Sequence, residues 1–253
     1  MKRFLSGLSM AFSMFTVFPL PCRWDDGARR MQLACLPVVG LFFGVVWAAA
    51  CYGCCSLRLP TLLSGALLAA LPHIMSGCIH LDGLMDTADA VFSWRTLEER
   101  LRIMKDSHAG SFAIITLTVT ALFSFASAAS LDKSVMTLVT LAAIPVVSRI
   151  AAAIAMMYIR PLGHSAYAKM ERQKNTPYLI ALIITLAAAC TAVIAFSGAA
   201  AILPIAAEVF GMACALAFAC SSLKGMSGDI AGWTMTIGET CALTALCILR
   251  SII

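Results

Sequence analysis

Seven apolar runs govern what this chain can fold into. They lie near residues 33–56, 61–79, 112–130, 135–158, 178–197, 199–223 and 231–249. A helix crosses a hydrocarbon core with about 17–25 residues, and only helices or closed barrels satisfy their backbone groups there. Of 253 residues, 61% are hydrophobic and 12% charged, so little chain remains for a separate soluble part. The expectation is an all-α fold: one polytopic integral membrane helical bundle of about seven transmembrane helices. Residues 1–22 carry Lys2 and Arg3 ahead of an apolar run, like a secretory signal, but Pro19-Leu20-Pro21 lacks the small-residue cleavage pattern. An interfacial or re-entrant N-terminal helix is the better reading.

Positive charge orients the bundle. Fourteen Lys or Arg fall in residues 1–32, 80–111, 159–177 and 224–230, whereas the opposite side holds only Arg58, Lys133 and Arg250. By the positive-inside rule the N-terminus and the 80–111 segment face the cytoplasm of a cell (inner) membrane. The net charge of +5 is spread between apolar runs, which gives no basis for a nucleic-acid partner. The eleven cysteines lie mostly within spans and include no Cys/His ligand set; they read as small apolar packing residues.

Against this background one acidic stretch is conspicuous. His80-Leu81-Asp82-Gly83-Leu84-Met85-Asp86-Thr87-Ala88-Asp89 places three carboxylates at spacings of four and three. On a helix they share an arc of roughly 60° over about 10 Å of axis. Like charges one turn apart repel, and acids clustered at a membrane boundary are costly unless paired or bound to metal. The stripe is expected to continue the second span into the interface, where Gly83 leaves room for a close-approaching ligand or helix. His80 lies about 160° away from Asp82 around such a helix and reads as packing.

Thr96 and Glu99 have capping-box spacing. The short cytoplasmic helix they open carries Leu97, Leu101 and Met104 on one face, and it returns Asp106 toward the stripe. Four carboxylates suit a hard cation with oxygen ligands, magnesium or manganese rather than zinc. On this reading Asp82, Asp86, Asp89 and Asp106 are the metal candidates. A second constellation, from Lys224 through Ser227, Gly228 and Asp229 to Gly232, joins the last two spans on the same side. Its glycines, hydroxyl and carboxylate suit backbone contact with an anion at a helix start. Within spans, Arg149 and Glu239 sit at similar depth and can pair, whereas Glu208 falls in the other half of the membrane.

These motifs resemble the cobalamin synthase family, adenosylcobinamide-GDP ribazoletransferase. The resemblance is carried by the Asp stripe and by Met104-Lys105-Asp106-Ser107-His108-Ala109-Gly110-Ser111-Phe112. Phe15-Thr16-Val17-Phe18-Pro19-Leu20-Pro21, Pro37-Val38-Val39-Gly40, Arg149, Tyr158-Ile159-Arg160-Pro161-Leu162-Gly163, Ser227-Gly228-Asp229 and Glu239 support it. His108 stands where many relatives carry Arg, and Lys224-Gly225-Met226-Ser227 where Gly-Gly-x-Thr is commoner.

The resemblance implies a transferase that joins adenosylcobinamide-GDP to α-ribazole or its 5′-phosphate and releases GMP. It implies Mg2+ on the diphosphate, held by Asp82, Asp86 and Asp89. Asp106 or Asp229 either completes the site or takes the hydroxyl proton. Lys105, Arg160 and Lys224 are candidate phosphate contacts, and Ser107, Arg149, Ser227, Gly228 and Glu239 are substrate-binding positions by motif. Self-association and assembly with other nucleotide-loop enzymes are compatible with it. Two other Asp-rich membrane transferases fit less well. Asp86-Thr87 stands where a CDP-alcohol phosphotransferase has Ala-Arg, and a prenyltransferase needs a second Asp pair where this chain has Asp229 alone. A cation transporter would place its site near the midplane.

Overall fold

The structure, a computed structural model, describes residues 2–18, 20–21, 24–162 and 175–252. Cys22, which ends the signal-like run, lies outside the described residues, as do Pro19 and Gly163 of the supporting motifs and the basic residues Arg23, Lys169, Arg172 and Lys174. Among the described residues the fold is all helical, apart from one isolated parallel bridge between Pro161 and Met226.

The helices in chain order are α1 (Lys2–Phe15), α2 (Arg29–Ala34), α3 (Leu36–Ser56), α4 (Thr61–Met75), α5 (Ile79–Phe92), α6 (Leu97–Ile103), α7 (Ser111–Ala129), α8 (Val135–Tyr158), α9 (Thr176–Ser197), α10 (Ile202–Leu223) and α11 (Gly228–Ile252). Six of them, α3 and α7 to α11, are each long and apolar enough to cross a membrane; α4 and α5 supply a seventh span only as a bent pair. The expected multi-pass bundle is therefore present. The hydropathy-based reading ran the first span from residue 33, but the helix breaks at Cys35 and α3 begins at Leu36. Between the fifth and sixth spans the chain turns at Gly198, whose φ of 83° suits glycine.

One expectation needs correction. The Asp stripe does not continue the second span: α4 stops at Met75, and α5 leaves it at 90°. The amide of Cys78 donates to the His73 carbonyl at 2.8 Å, and that of Gly77 to the Ile74 carbonyl at 3.0 Å. This pair is a Schellman cap with Gly77 at its left-handed position, φ 63°. Cys78 is left-handed as well, φ 62°, and the double reversal redirects the chain. Periodicity could not show the bend, because Ile74 to Ile79 is apolar or small throughout.

α8 is the central helix, with both faces largely buried. It packs most closely on α3, where Gly40 and Gly44 meet the α8 backbone around Pro145 and Ala142, a small-xxx-small contact. α1 is amphipathic and rests on α2 and α3, as an interfacial helix would. α6 opens on the expected capping box, Thr96 with Glu99. Its Leu101 and Met104 pack on the core, and the Arg100 guanidinium donates to the Ser222 carbonyl of α10. At one end of the bundle stand the starts of α7 and α11, the ends of α5, α8 and α10, and α6. At the other end Arg250 pairs with Asp132, which also accepts from Ser134 and Thr137.

Candidate active site

The acidic end is built where α5 crosses the start of α11. A Cβ on Gly83 would fall 2.6 Å from the carbonyl oxygen of Asp229, so only glycine lets the two backbones come this close. The Thr236 hydroxyl of α11 donates to the His80 carbonyl across the same crossing. The room expected beside Gly83 is thus filled by a helix. The crossing carries the second constellation to the first: Asp82, Asp229 and Asp89 all act as repelling neighbours of Asp86. Asp82 is exposed, while Asp86 and Asp229 are half-buried. Neither the Asp82 nor the Asp86 carboxylate makes a hydrogen bond or ion pair with any described residue.

Asp89 sits differently. It is buried, and its two oxygens accept from the backbone amides of Gly110 at 2.6 Å and Ala113 at 2.8 Å. It caps α7 from a distance of 21 residues, satisfying amides that a helix start leaves without partners. No local sequence pattern announces such a contact. Asp106 is exposed, and the His108 ring at 2.7 Å and the His108 amide at 3.1 Å bond its carboxylate. Those bonds hold it below the usual carboxylate range. Lys105 and Ser107 are exposed in the same turn. Among the described residues no three His, Cys, Asp or Glu side chains converge as a metal-ligand set.

The loop from Lys224 to Gly228 is fixed by residues just beyond α8. The Met226 amide donates to the Arg160 carbonyl at 2.8 Å, and the Leu162 amide returns to the Met226 carbonyl at 2.9 Å. Lys224 is left-handed, φ 62°, and ends α10. Ser227 begins α11: its hydroxyl accepts from the Ile230 amide and donates to an Asp229 oxygen, both at 3.3 Å. The side chains of Arg160 and Lys224 are exposed beside this loop.

Deeper in the bundle, Arg149 and Glu239 form the pair their depths suggested, at 2.7 Å and nearly sealed from solvent. Ser148 donates to the same Glu239 oxygen at 2.6 Å, and the guanidinium lies 4.6 Å from the Phe43 ring centre. Glu208, placed by hydropathy in the other half of the membrane, is instead brought beside this pair. It is fully buried, and the charges of Arg149 and Glu239 and the Ser148 backbone all act on its carboxyl. Between the pair and the acidic rim lies a cavity of about 190 Å³, with Arg149 and Asp229 both on its wall. Sequence reasoning missed this cavity, which needs α1, α3, α5, α8 and α11 together.

The sequence placed the two constellations on one side of the membrane, and the crossing of α5 over the start of α11 brings them together. Comparison with known proteins gives the chain a family. The family model described as cobalamin-5-phosphate synthase matches residues 7–247. An adenosylcobinamide-GDP ribazoletransferase of Clostridium botulinum (strain Alaska E43 / Type E3) is 32% identical over 98% of this chain and 99% of its own length. One of Clostridium perfringens (strain ATCC 13124) is 32% identical over 94% and 96%, and one of Geobacillus sp. (strain WCH70) is 29% identical over 99% and 98%. No solved structure matches the chain. Full-length similarity at this level, with both acidic constellations meeting at one crossing, leads to one conclusion: the chain belongs to the cobalamin-5-phosphate synthase family.

Proposed function

We propose that this membrane enzyme condenses adenosylcobinamide-GDP with α-ribazole or its 5′-phosphate at the acidic rim, releasing GMP. A ribose hydroxyl attacks the cobinamide-side phosphorus, the bond from that phosphorus to the GMP phosphate breaks, and the hydroxyl proton is taken up by a carboxylate. The single observation that carries the site assignment is the α5–α11 crossing, where Asp82, Asp86 and Asp229 crowd without an ion pair to any described residue.

Magnesium suits this donor set. That ion is held by one or two carboxylates together with substrate phosphates, not by an all-protein cage, so the lack of a converged protein set agrees with a site completed by the diphosphate. Asp82 and Asp86 are its proposed holders. Bound there, the ion would neutralise charge on the diphosphate oxygens and on the leaving phosphate. Asp229 stands beside them on the cavity wall and is the proposed proton acceptor. Arg160, Lys224 and Lys105 are proposed phosphate contacts, and the Ser227–Gly228 backbone an anion contact at the start of α11. Asp89 holds the start of α7 in place under the rim. Arg149 and Glu239 support the cavity from within the membrane.

The positive-inside balance supports placing the rim and the N-terminus on the cytoplasmic side of the cell (inner) membrane, where soluble substrates would reach it. The test uses purified full-length protein with both substrates and magnesium, following corrinoid product and GMP by mass spectrometry. Product that disappears with EDTA and returns with added magnesium is expected. Turnover that EDTA leaves unchanged contradicts the metal assignment. The absence of product from folded protein contradicts the reaction.

A further inference from the structure

We infer that the cavity between the rim and the Arg149–Glu239 pair is the seat of the guanine base, and that the free edge of Arg149 reads its O6 and N7. This rests on the transferase reading above. Arg149 is 2% exposed, and one of its nitrogens does all the bonding within the bundle. Nη1 donates to the Pro145 carbonyl at 3.2 Å, the Ser148 hydroxyl at 3.1 Å and Glu239 at 2.7 Å. Nε and Nη2, the other edge of the guanidinium, donate to no described residue. Both retain surface that a water molecule could touch, and the open space that Arg149 lines is this cavity. Two parallel donors therefore point into a chamber whose walls are mainly apolar, among them Phe15, Leu36, Met156 and Met235.

The Nη1 side holds the ion pair together, and the opposite fork is left to a ligand. Such a fork bonds two acceptors side by side. An anion is disfavoured, because Glu239 already answers the charge of Arg149 and Asp229 adds negative charge to the wall. A neutral pair of adjacent acceptors fits. Among the flat rings of the two substrates guanine presents that pair, O6 with N7, the edge that arginine reads in duplex DNA. Adenine sets an amino donor beside its N7, and a ribazole base has a single free ring nitrogen. An apolar cavity of about 150 Å³ holds benzene, so about 190 Å³ takes one flat base and excludes a corrin ring. Gly228 and Met235 both stand on the wall, about 10 Å apart along α11, which is the reach of a purine nucleoside. With O6 and N7 against Arg149, the ribose faces the mouth and its phosphate comes to the start of α11. The second phosphate then lies out at the rim, beside Asp82 and Asp86.

The test is titration calorimetry on the full-length protein in detergent with magnesium. Its probes are GMP, 7-deaza-GMP, which lacks the N7 acceptor, and AMP, which turns an amino donor toward Arg149. Wild-type protein is expected to bind GMP roughly tenfold or more tightly than it binds either analogue. Arg149→Lys keeps a cation for Glu239 but not the fork, and is expected to bring GMP and 7-deaza-GMP within about twofold of each other. Ala231→Leu fills the cavity from α11 and is expected to weaken GMP binding by roughly tenfold or more; with the wild-type comparison it decides the matter if Arg149→Lys fails to fold. An Arg149 that only supports the bundle would not alter a preference between two purines. Equal binding of GMP and both analogues by wild-type protein overturns the inference. So does a preference that survives Arg149→Lys, GMP binding that Ala231→Leu leaves unchanged, or no GMP binding at all. Selective GMP binding without turnover would uphold the cavity assignment and contradict the transferase reading alone.

Discussion

The acidic rim and the buried Arg149–Glu239 pair hold charge in opposite ways. Inside the bundle every charge in the pair is answered: Arg149 meets Glu239 at 2.7 Å, Ser148 supports the same oxygen, and the Phe43 face covers the guanidinium. At the rim Asp82 and Asp86 have no partner among the described residues, and Asp229 has only the Ser227 hydroxyl. The buried pair is structure, since breaking it would strand an ion in a poor solvent. The rim is held together despite repulsion, and it is there that the proposed magnesium would act. Asp89 shows that position in the stripe does not decide a carboxylate's surroundings, because its two oxygens cap the start of α7.

The comparison breaks most violently at the interior. Arg149→Met should strand Glu239 and cost about 3–5 kcal/mol of stability, read as a lower unfolding temperature in detergent. Adding Glu239→Met should recover most of it. At the rim the effect should fall on rate: Asp82→Asn should slow turnover by roughly 10²-fold while leaving the unfolding temperature unchanged or slightly higher, since repulsion is relieved. Gly83→Ala should affect both. Its Cβ meets the Asp229 carbonyl at 2.6 Å, and such overpacking costs about 1–3 kcal/mol while separating α5 from α11. The smallest effect belongs to Asp89→Ala, which removes the α7 cap. It should cost about 0.5–2 kcal/mol, with turnover largely retained at temperatures where the variant is folded.

Much of this was legible in the sequence, for definable reasons. Apolar runs report burial in lipid directly, so the spans from α7 onward emerged within a few residues. The capping box of α6 and the Arg149–Glu239 pairing followed from local spacing and depth. What the sequence hid was direction. The bend at Gly77-Cys78 is set by two left-handed residues in an otherwise apolar stretch, so hydropathy ran α4 straight on into α5. Asp89 looked like Asp82 and Asp86 because the periodicity that aligns them says nothing about the amides of Gly110 and Ala113. Glu208 comes beside the pair through the close packing of α10 on α11 at Gly238, which a span-by-span reading does not give.

The central claim is that the α5–α11 rim is the reaction centre. It is tested most directly by the magnesium-dependent turnover of Asp86→Asn, with its unfolding temperature measured on the same preparation. The account predicts a rate loss of roughly 10²–10³-fold in protein that unfolds no earlier than the wild type. Wild-type turnover by folded Asp86→Asn would contradict it.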